Sequence, residues 1–349
     1  MILMKNKLQP PFAPAYETIL QNTVQLLLSR FYNNPSLSLI KETLNLCYES
    51  IIHEQQKSLY GRILNPTAEK IKIQQIKDKM NEVYYDEQDD QNIIEIYYRN
   101  LTFPVYPNDE LHSKLTELLT KTHTTQLSYS SSRKALHSWV DLREDGQIKS
   151  IYSGQKLNPN DLMEQDHRIE AEAVQQMKQV LDRDSSVLDE HKEILMETIL
   201  RSLQFNIEHV IPQTWFKKRN PMVGDLHHLF TCEQDCNSFR SNIPYYDFDN
   251  YEPSVYKEII KNSCGKRDGN EKFEPENGKG EIARATLYFL LRYPNEILHE
   301  KLLLLDLNLY KRWHNEHPVT LHEKHRNWAI YKLQGNRNPY IDFPELVFS

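Results

Sequence analysis

The sequence predicts an α+β protein, predominantly helical, in which a helical N-terminal region precedes a small core of short strands. Three observations predict this. Apolar residues recur at helical spacing over much of the chain, as in Leu20, Val24, Leu27, Leu28 and Phe31. Strand-like runs are few and short, gathering between Trp139 and Tyr152 and between Phe205 and Tyr246. With 349 residues, 39% of them apolar and 26% charged, the chain has the composition of a folded protein and is long enough for two domains.

The elements follow in order. After the first helical stripe and the Asn33-Asn34-Pro35 break, Leu37, Ile40, Leu44, Tyr48 and Ile51 form a second, which predicts an α-hairpin. A third stretch follows Asn65-Pro66, with Ile73, Ile76, Met80 and Val83 on one side, until the acidic run from Asp86 to Gln91 interrupts it. The segment 92–105, with Tyr97, Tyr98, Leu101 and Phe103, reads as a docking element that is either strand or helix. A boundary near residue 105 then divides a helical region of unknown role, 1–105, from a second domain, 106–349. In that domain Tyr129-Ser-Ser-Ser-Arg133 leads into a helix, and Trp139 to Leu142, Asp145-Gly146 and Ile148 to Tyr152 read as a β-hairpin. Further helices are expected over 160–181, 187–203, 282–293 and around 299–314.

A formal charge of -7 excludes a surface that grips polyanions everywhere, so any nucleic-acid contact requires a local basic concentration. The N-terminus carries no apolar run long enough for a secretory signal, and no stretch approaches a membrane span. The expectation is therefore a cytoplasmic protein with no membrane partner, with export lacking an N-terminal signal left open. Four cysteines in so long a chain do not form a disulfide framework, which agrees with a reducing compartment.

The chemistry concentrates in Phe205-Asn-Ile-Glu208-His209-Val-Ile-Pro212-Gln-Thr-Trp215, then Asp225-Leu-His227-His228-Leu-Phe230, then Cys236-Asn237-Ser-Phe-Arg240-Ser-Asn242. Two short strands and a helix would bring Glu208, His209 and Asn237 to one face, the arrangement called ββα-metal, within a core of about 205–246. Hydrolysis of a phosphodiester needs a nucleophile made from water, neutralisation of the phosphoryl oxygens and help for the leaving alkoxide. Histidine suits the first task, because its ordinary pKa lies near neutrality. A carboxylate with an amide oxygen suits a hard cation such as magnesium, with manganese or calcium as substitutes, whereas zinc would want more nitrogen or sulfur. Adjacent residues of a strand face opposite ways, so Glu208 and His209 share a site only at a strand end or bulge, and Pro212 makes an early end plausible.

Taken together, Glu208-His209-Val-Ile-Pro212, Asp225-Leu-His227-His228-Leu229 and Asn237-Ser-Phe-Arg240-Ser-Asn242 resemble the bacterial endonuclease I family of ββα-metal, His-Me finger nucleases. Downstream, Gly278-Lys-Gly280-Glu281-Ile-Ala283-Arg284, Leu291-Arg292-Tyr293-Pro294 and Gln334-Gly-Asn-Arg337-Asn-Pro-Tyr340 continue the resemblance, which spans roughly residues 110 to 349. It implies cleavage of DNA and often RNA with little sequence preference, His209 as general base, and Glu208 and Asn237 as ligands of Mg2+. Some relatives carry an arginine in a longer loop after the Glu-His pair. Only Phe216 to Val223 intervenes here, so Lys218, Arg219 and Arg240 become the candidate phosphate contacts.

Other readings stand beside these. Asp225, His227 and His228 are expected to support the metal site from behind, through core hydrogen bonds. Cys232, Cys236 and Cys264 can be packed thiols, a disulfide or an incomplete zinc site, with packed thiols favoured. His314, His317, His322 and His325 fit a polar linker better than a metal cluster. A different class of function is a non-catalytic nucleic-acid or protein-binding module on the same fold. Another is a gated toxin or defence nuclease whose N-terminal helices dock on the second domain, a second copy or a regulatory partner.

Overall fold

Helix α6 (Lys279–Arg292) is buried on nearly every side, with Ile282, Ala283, Ala285, Tyr288, Phe289 and Leu291 all shielded, as a helix at the centre of a core must be. It appears in a computed structural model that describes residues 84–103, 108–183, 207–249, 264–269 and 271–347. The α-hairpin, the third helical stretch and the helix expected over 187–203 lie outside the described residues. Within them the protein is predominantly helical, with three small two-stranded antiparallel sheets.

Helix α1 (Glu87–Tyr98) starts where the acidic run lies. The Asp86 side chain caps it by accepting from the Asp89 amide, and Glu87, Asp89 and Asp90 occupy the first turn, where negative charge complements the helix dipole. The acidic run thus opens a helix, and the docking element left undecided is helical as far as Tyr98. Helix α2 (Asp109–Thr122) contributes Leu111, Leu115 and Leu119 to a cluster that also holds Tyr98, Tyr288 and Leu291.

Helix α3 (Tyr129–Ala135) runs directly into a single π turn, Leu136–Val140. This corrects the strand expected from Trp139 to Leu142. Leu136, Trp139 and Val140 are buried together at helical spacing, and Leu142 keeps only one bridge to Ile148. The hairpin actually pairs β1 (Ile148–Lys149) with β2 (Lys156–Leu157). Helix α4 (Pro159–Arg183) follows, its Asp166 ion-paired with Arg133 and hydrogen-bonded by His137 Nδ1 at 2.8 Å.

Next come β3 (Ile207–His209), β4 (Leu229–Thr231) and helix α5 (Gln234–Arg240). After α5 a third ribbon forms from β5 (Gly265–Asp268) and β6 (Lys272–Pro275). The helix expected around 299–314 is two helices, α7 (His299–Leu302) and α8 (Leu307–Glu316), because Asp306 caps a new start by accepting from the Asn308 and Leu309 amides. Helix α9 (Leu321–Gln334) opens with a capping box between Thr320 and Glu323 and ends at Gly335, whose φ of 91° is the left-handed conformation that glycine tolerates. The short helix α10 (Pro339–Asp342) closes the fold. No helix among the described residues is long and apolar enough to cross a membrane.

Arg337 joins α1 to this C-terminal end. Its guanidinium is fully buried and donates to Asp90 Oδ1 at 2.7 Å and to both carboxylate oxygens of Asp342 at 2.7 Å. Removing it would strand two carboxylates in the interior. Arg337→Met should therefore lower the unfolding free energy by about 3–5 kcal/mol, read from the urea midpoint; a loss within about 0.5 kcal/mol, the size of an ordinary surface change, would contradict this account.

Candidate active site

Strand β3 has three residues, and Pro212 stops it soon after. Its register sets Ile207 against Thr231, Glu208 against Phe230 and His209 against Leu229. Helix α5 follows β4 after two residues and places Asn237 and Arg240 three positions apart, hence on one face. That face lies on β3. The Asn237 amide nitrogen donates to the Ile207 carbonyl at 2.6 Å. Arg240 Nη1 donates to Glu208 Oε1 at 2.6 Å and to the His209 carbonyl at 3.1 Å, and Nη2 to the Val210 carbonyl at 2.8 Å.

Glu208 is 1% exposed. Burial pushes its carboxyl up to about 7, although Arg240 and a hydrogen bond with Tyr152 pull the other way. Asn237, with its nitrogen fixed on Ile207, turns its Oδ1 away from that carbonyl.

His209 has different neighbours, as the two-residue period of a strand requires. Its ring stacks on Tyr129 with centroids 5.4 Å apart and packs beside Phe216 and His228. Nε2 lies 3.0 Å from the Val223 carbonyl, and Nδ1 lies 3.3 Å from the Gln213 amide nitrogen. A carbonyl can only accept, so Nε2 carries the proton and Nδ1 presents the lone pair. The structure thus joins Arg240 to the Glu208 carboxylate and seats Asn237 on the backbone of the residue before it. The His209 ring, at the last residue of the ribbon, has its own neighbours in Tyr129, Phe216 and His228.

Behind the ribbon, His227 and His228 sit in a 3-10 turn, Leu226–His228, rather than in the strand expected there, because the Asp225 side chain caps the turn at the His227 amide. His228 Nε2 donates to the Met222 carbonyl at 2.6 Å and His227 Nε2 to the Asn336 carbonyl at 3.2 Å. Burial holds both imidazoles below their usual range, His227 at about 4. Asp225 accepts from Tyr288 and Tyr293 at 2.8 Å and from Gln334 at 3.0 Å. Burial alone would raise its carboxyl, but His123, His227, His228 and the Gln334 bond outweigh it and hold the carboxyl well below the carboxylate range.

Arg240 is corrected as a phosphate contact: it is 2% exposed and committed to Glu208 and the carbonyls of His209 and Val210. Arg219 pairs with Glu296. Lys217 and Lys218 are exposed and both adopt left-handed backbone, φ 56° and 54°, on the turn after Phe216. The favoured packed thiols are also corrected, since Cys236 and Cys264 form a disulfide, leaving Cys232 buried and unbridged. Among the described residues no group of three or more His, Cys, Asp or Glu side chains could hold a metal by itself, which disposes of the C-terminal histidines as a cluster. The pinning role of Arg240 and the clasp of Gln213 and Val223 on His209 escape sequence reasoning. The one available signal is the three-residue spacing of Asn237 and Arg240.

A family model for endonuclease I matches residues 108–345. The chain belongs to the endonuclease I family. Over 125 residues it is 33% identical to an extracellular deoxyribonuclease of Aeromonas hydrophila, covering 35% of this chain and 50% of that protein. It is likewise 33% identical over 135 residues to an extracellular ribonuclease of Bacillus amyloliquefaciens, covering 35% and 44%. A periplasmic deoxyribonuclease of Aeromonas hydrophila is 29% identical over 162 residues, covering 41% and 65%. The chain thus spans about half the length of the curated relatives it matches. These extracellular and periplasmic family members overturn the cytoplasmic expectation, and the Cys236–Cys264 disulfide removes the argument from reduced cysteines.

The Asp225 carboxylate should have a signature in pH. Its depressed pKa adds stability that is present above the unfolded value of 3.8 and is lost as pH falls toward the folded one. Asp225→Asn should then cost more unfolding free energy at pH 7 than at pH 3, measured by urea titration. A cost that is equal at the two values, or larger in acid, would contradict the assignment.

Proposed function

We propose that the protein is a metal-dependent endonuclease that hydrolyses phosphodiester bonds of DNA and RNA with little sequence preference. The observation that carries this is the clasp on His209. With Nε2–H given to the Val223 carbonyl, the ring is fixed in the tautomer whose Nδ1 can take a proton from water. The same carbonyl steadies the imidazolium that results. Gln213, donating to Nδ1 at 3.3 Å, keeps the ring oriented until water replaces it. Relatives named for both deoxyribonuclease and ribonuclease activity support a substrate range that includes both polymers.

The strand pair β3–β4 with helix α5 serves in this reading as a ββα-metal core, with Glu208 and Asn237 holding Mg2+. The donor set fits: a carboxylate oxygen and an amide oxygen are hard ligands. A buried carboxyl that burial raises to about 7 even beside Arg240 fits a place for further positive charge. When bound, the cation would neutralise the phosphoryl oxygens and the leaving alkoxide. Manganese or calcium would substitute. Arg240 is a positioning residue, fixing the Glu208 carboxylate and the two carbonyls that follow it. Lys218, exposed on the turn beyond Gln213, is the phosphate contact, with Arg219 held back by Glu296. The protein works outside the cytoplasm, where the disulfide persists.

Purified protein should degrade plasmid DNA and RNA with magnesium and stop in a chelator. His209→Ala should lose about a hundred- to ten-thousandfold in rate while binding substrate as before. Glu208→Ala and Asn237→Ala should each raise the magnesium concentration needed for half-maximal rate. A His209→Ala protein that cuts at the wild-type rate would remove the proposal's foundation.

A further inference from the structure

A pocket of about 310 Å³ opens between the turn after β1 and the start of α6. Phe230 lines it. That residue stands directly opposite Glu208 in the ribbon, and opposed residues of an antiparallel pair share a face. The pocket therefore borders the Glu208 side of β3–β4.

Its charge is positive. Of the two carboxylates in the wall, Asp141 is occupied: it accepts from the Thr231 amide at 2.7 Å and hydroxyl at 2.6 Å and pairs with Arg326. Glu281 alone remains. Against it stand Arg143 and Lys149, neither of which makes an ion pair through its side chain among the described residues. Arg143 Nε is shut off from solvent with no hydrogen-bond partner. A buried guanidinium N–H without an acceptor is costly unless a ligand supplies one.

Two further features agree. Helix α6 starts at the pocket with Gly278 as its N-cap and no side-chain cap, leaving its first amides without that partner. Gly278 has φ of 78°, and a Cβ there would fall 2.6 Å from the Ile151 carbonyl oxygen, so only glycine lets the β1–β2 turn approach α6 this closely. His322 also faces the pocket, with Nε2–H on the Asp141 carbonyl at 3.3 Å and Nδ1 shut off from solvent and unpartnered. In that tautomer Nδ1 is an acceptor, suited to a sugar hydroxyl or an ordered water beside an anion.

We propose that this pocket holds a phosphate of the nucleic-acid strand other than the one being cut, with Arg143 and Lys149 as its charged contacts. The choice of a polymer phosphate rests on the nuclease reading. The site's affinity for it does not require cleavage. Binding can therefore be measured on the full chain in chelator, by anisotropy of a short fluorescein-labelled oligothymidylate over a range of salt concentrations. Arg143→Ala combined with Lys149→Ala should weaken binding and make the dependence of log Kd on log salt shallower by about 0.7, the share of one single-strand phosphate. Lys149→Ala alone, at an exposed position, should move both readouts in the same direction without risk to the fold. A wild-type protein that does not bind, or variants with unchanged salt slope, would overturn the proposal. A wild-type chain that cuts no polymer with magnesium yet shows the slope change would sink the nuclease reading and leave the pocket's assignment standing.

Discussion

The Glu208 side of the candidate site depends on the Arg240 guanidinium. Strand β3 has three residues and one partner strand, too little pairing to hold itself rigid. Arg240 supplies the missing constraint from helix α5 through the Glu208 carboxylate and the carbonyls of His209 and Val210. Charge-assisted bonds in a buried setting are strong and directional, so the position of the carboxylate is set by a helix rather than by a loop. Asn237 repeats the arrangement one turn earlier on the Ile207 carbonyl.

A second layer holds the other face. The Asp225 carboxylate gathers two tyrosines, Gln334 and the His227 amide, which fixes the turn that delivers both His228 and strand β4. Met222 to Gly224 sits just before it, and the Val223 carbonyl reaches His209 from there. The imidazole and the carboxylate are adjacent in sequence but are tied down by separate parts of the protein. Each is thus fixed by its own set of contacts at one strand end.

Much of this was legible in the residues, and the failures have physical causes. Helical periodicity placed α4 and α6, and the Pro212 stop placed the strand end that follows Glu208-His209. The strand expected at Trp139 failed because a short apolar run does not reveal its period, and burial at i, i+3 and i+4 turned it into a continuation of α3. Arg240 read as an anion contact because sequence shows its charge and not its burial. The disulfide was missed for a similar reason. Cys236 and Cys264 are 28 residues apart, and only the packing of β5 beside α5 brings them within 5.1 Å between Cα atoms. The cytoplasmic expectation failed because the composition of one N-terminal stretch does not report a compartment, and family members are named extracellular and periplasmic.

The central claim is that Val223 fixes the tautomer of His209 so that Nδ1 is the base. Nitrogen-15 chemical shifts of the histidine rings, assigned to His209 through the His209→Ala variant, read this directly at a pH where the ring is neutral. The account predicts a protonated Nε2 and an unprotonated Nδ1. A proton resident on Nδ1 would contradict it, because the lone pair would then face the Val223 carbonyl and no base would be available to water.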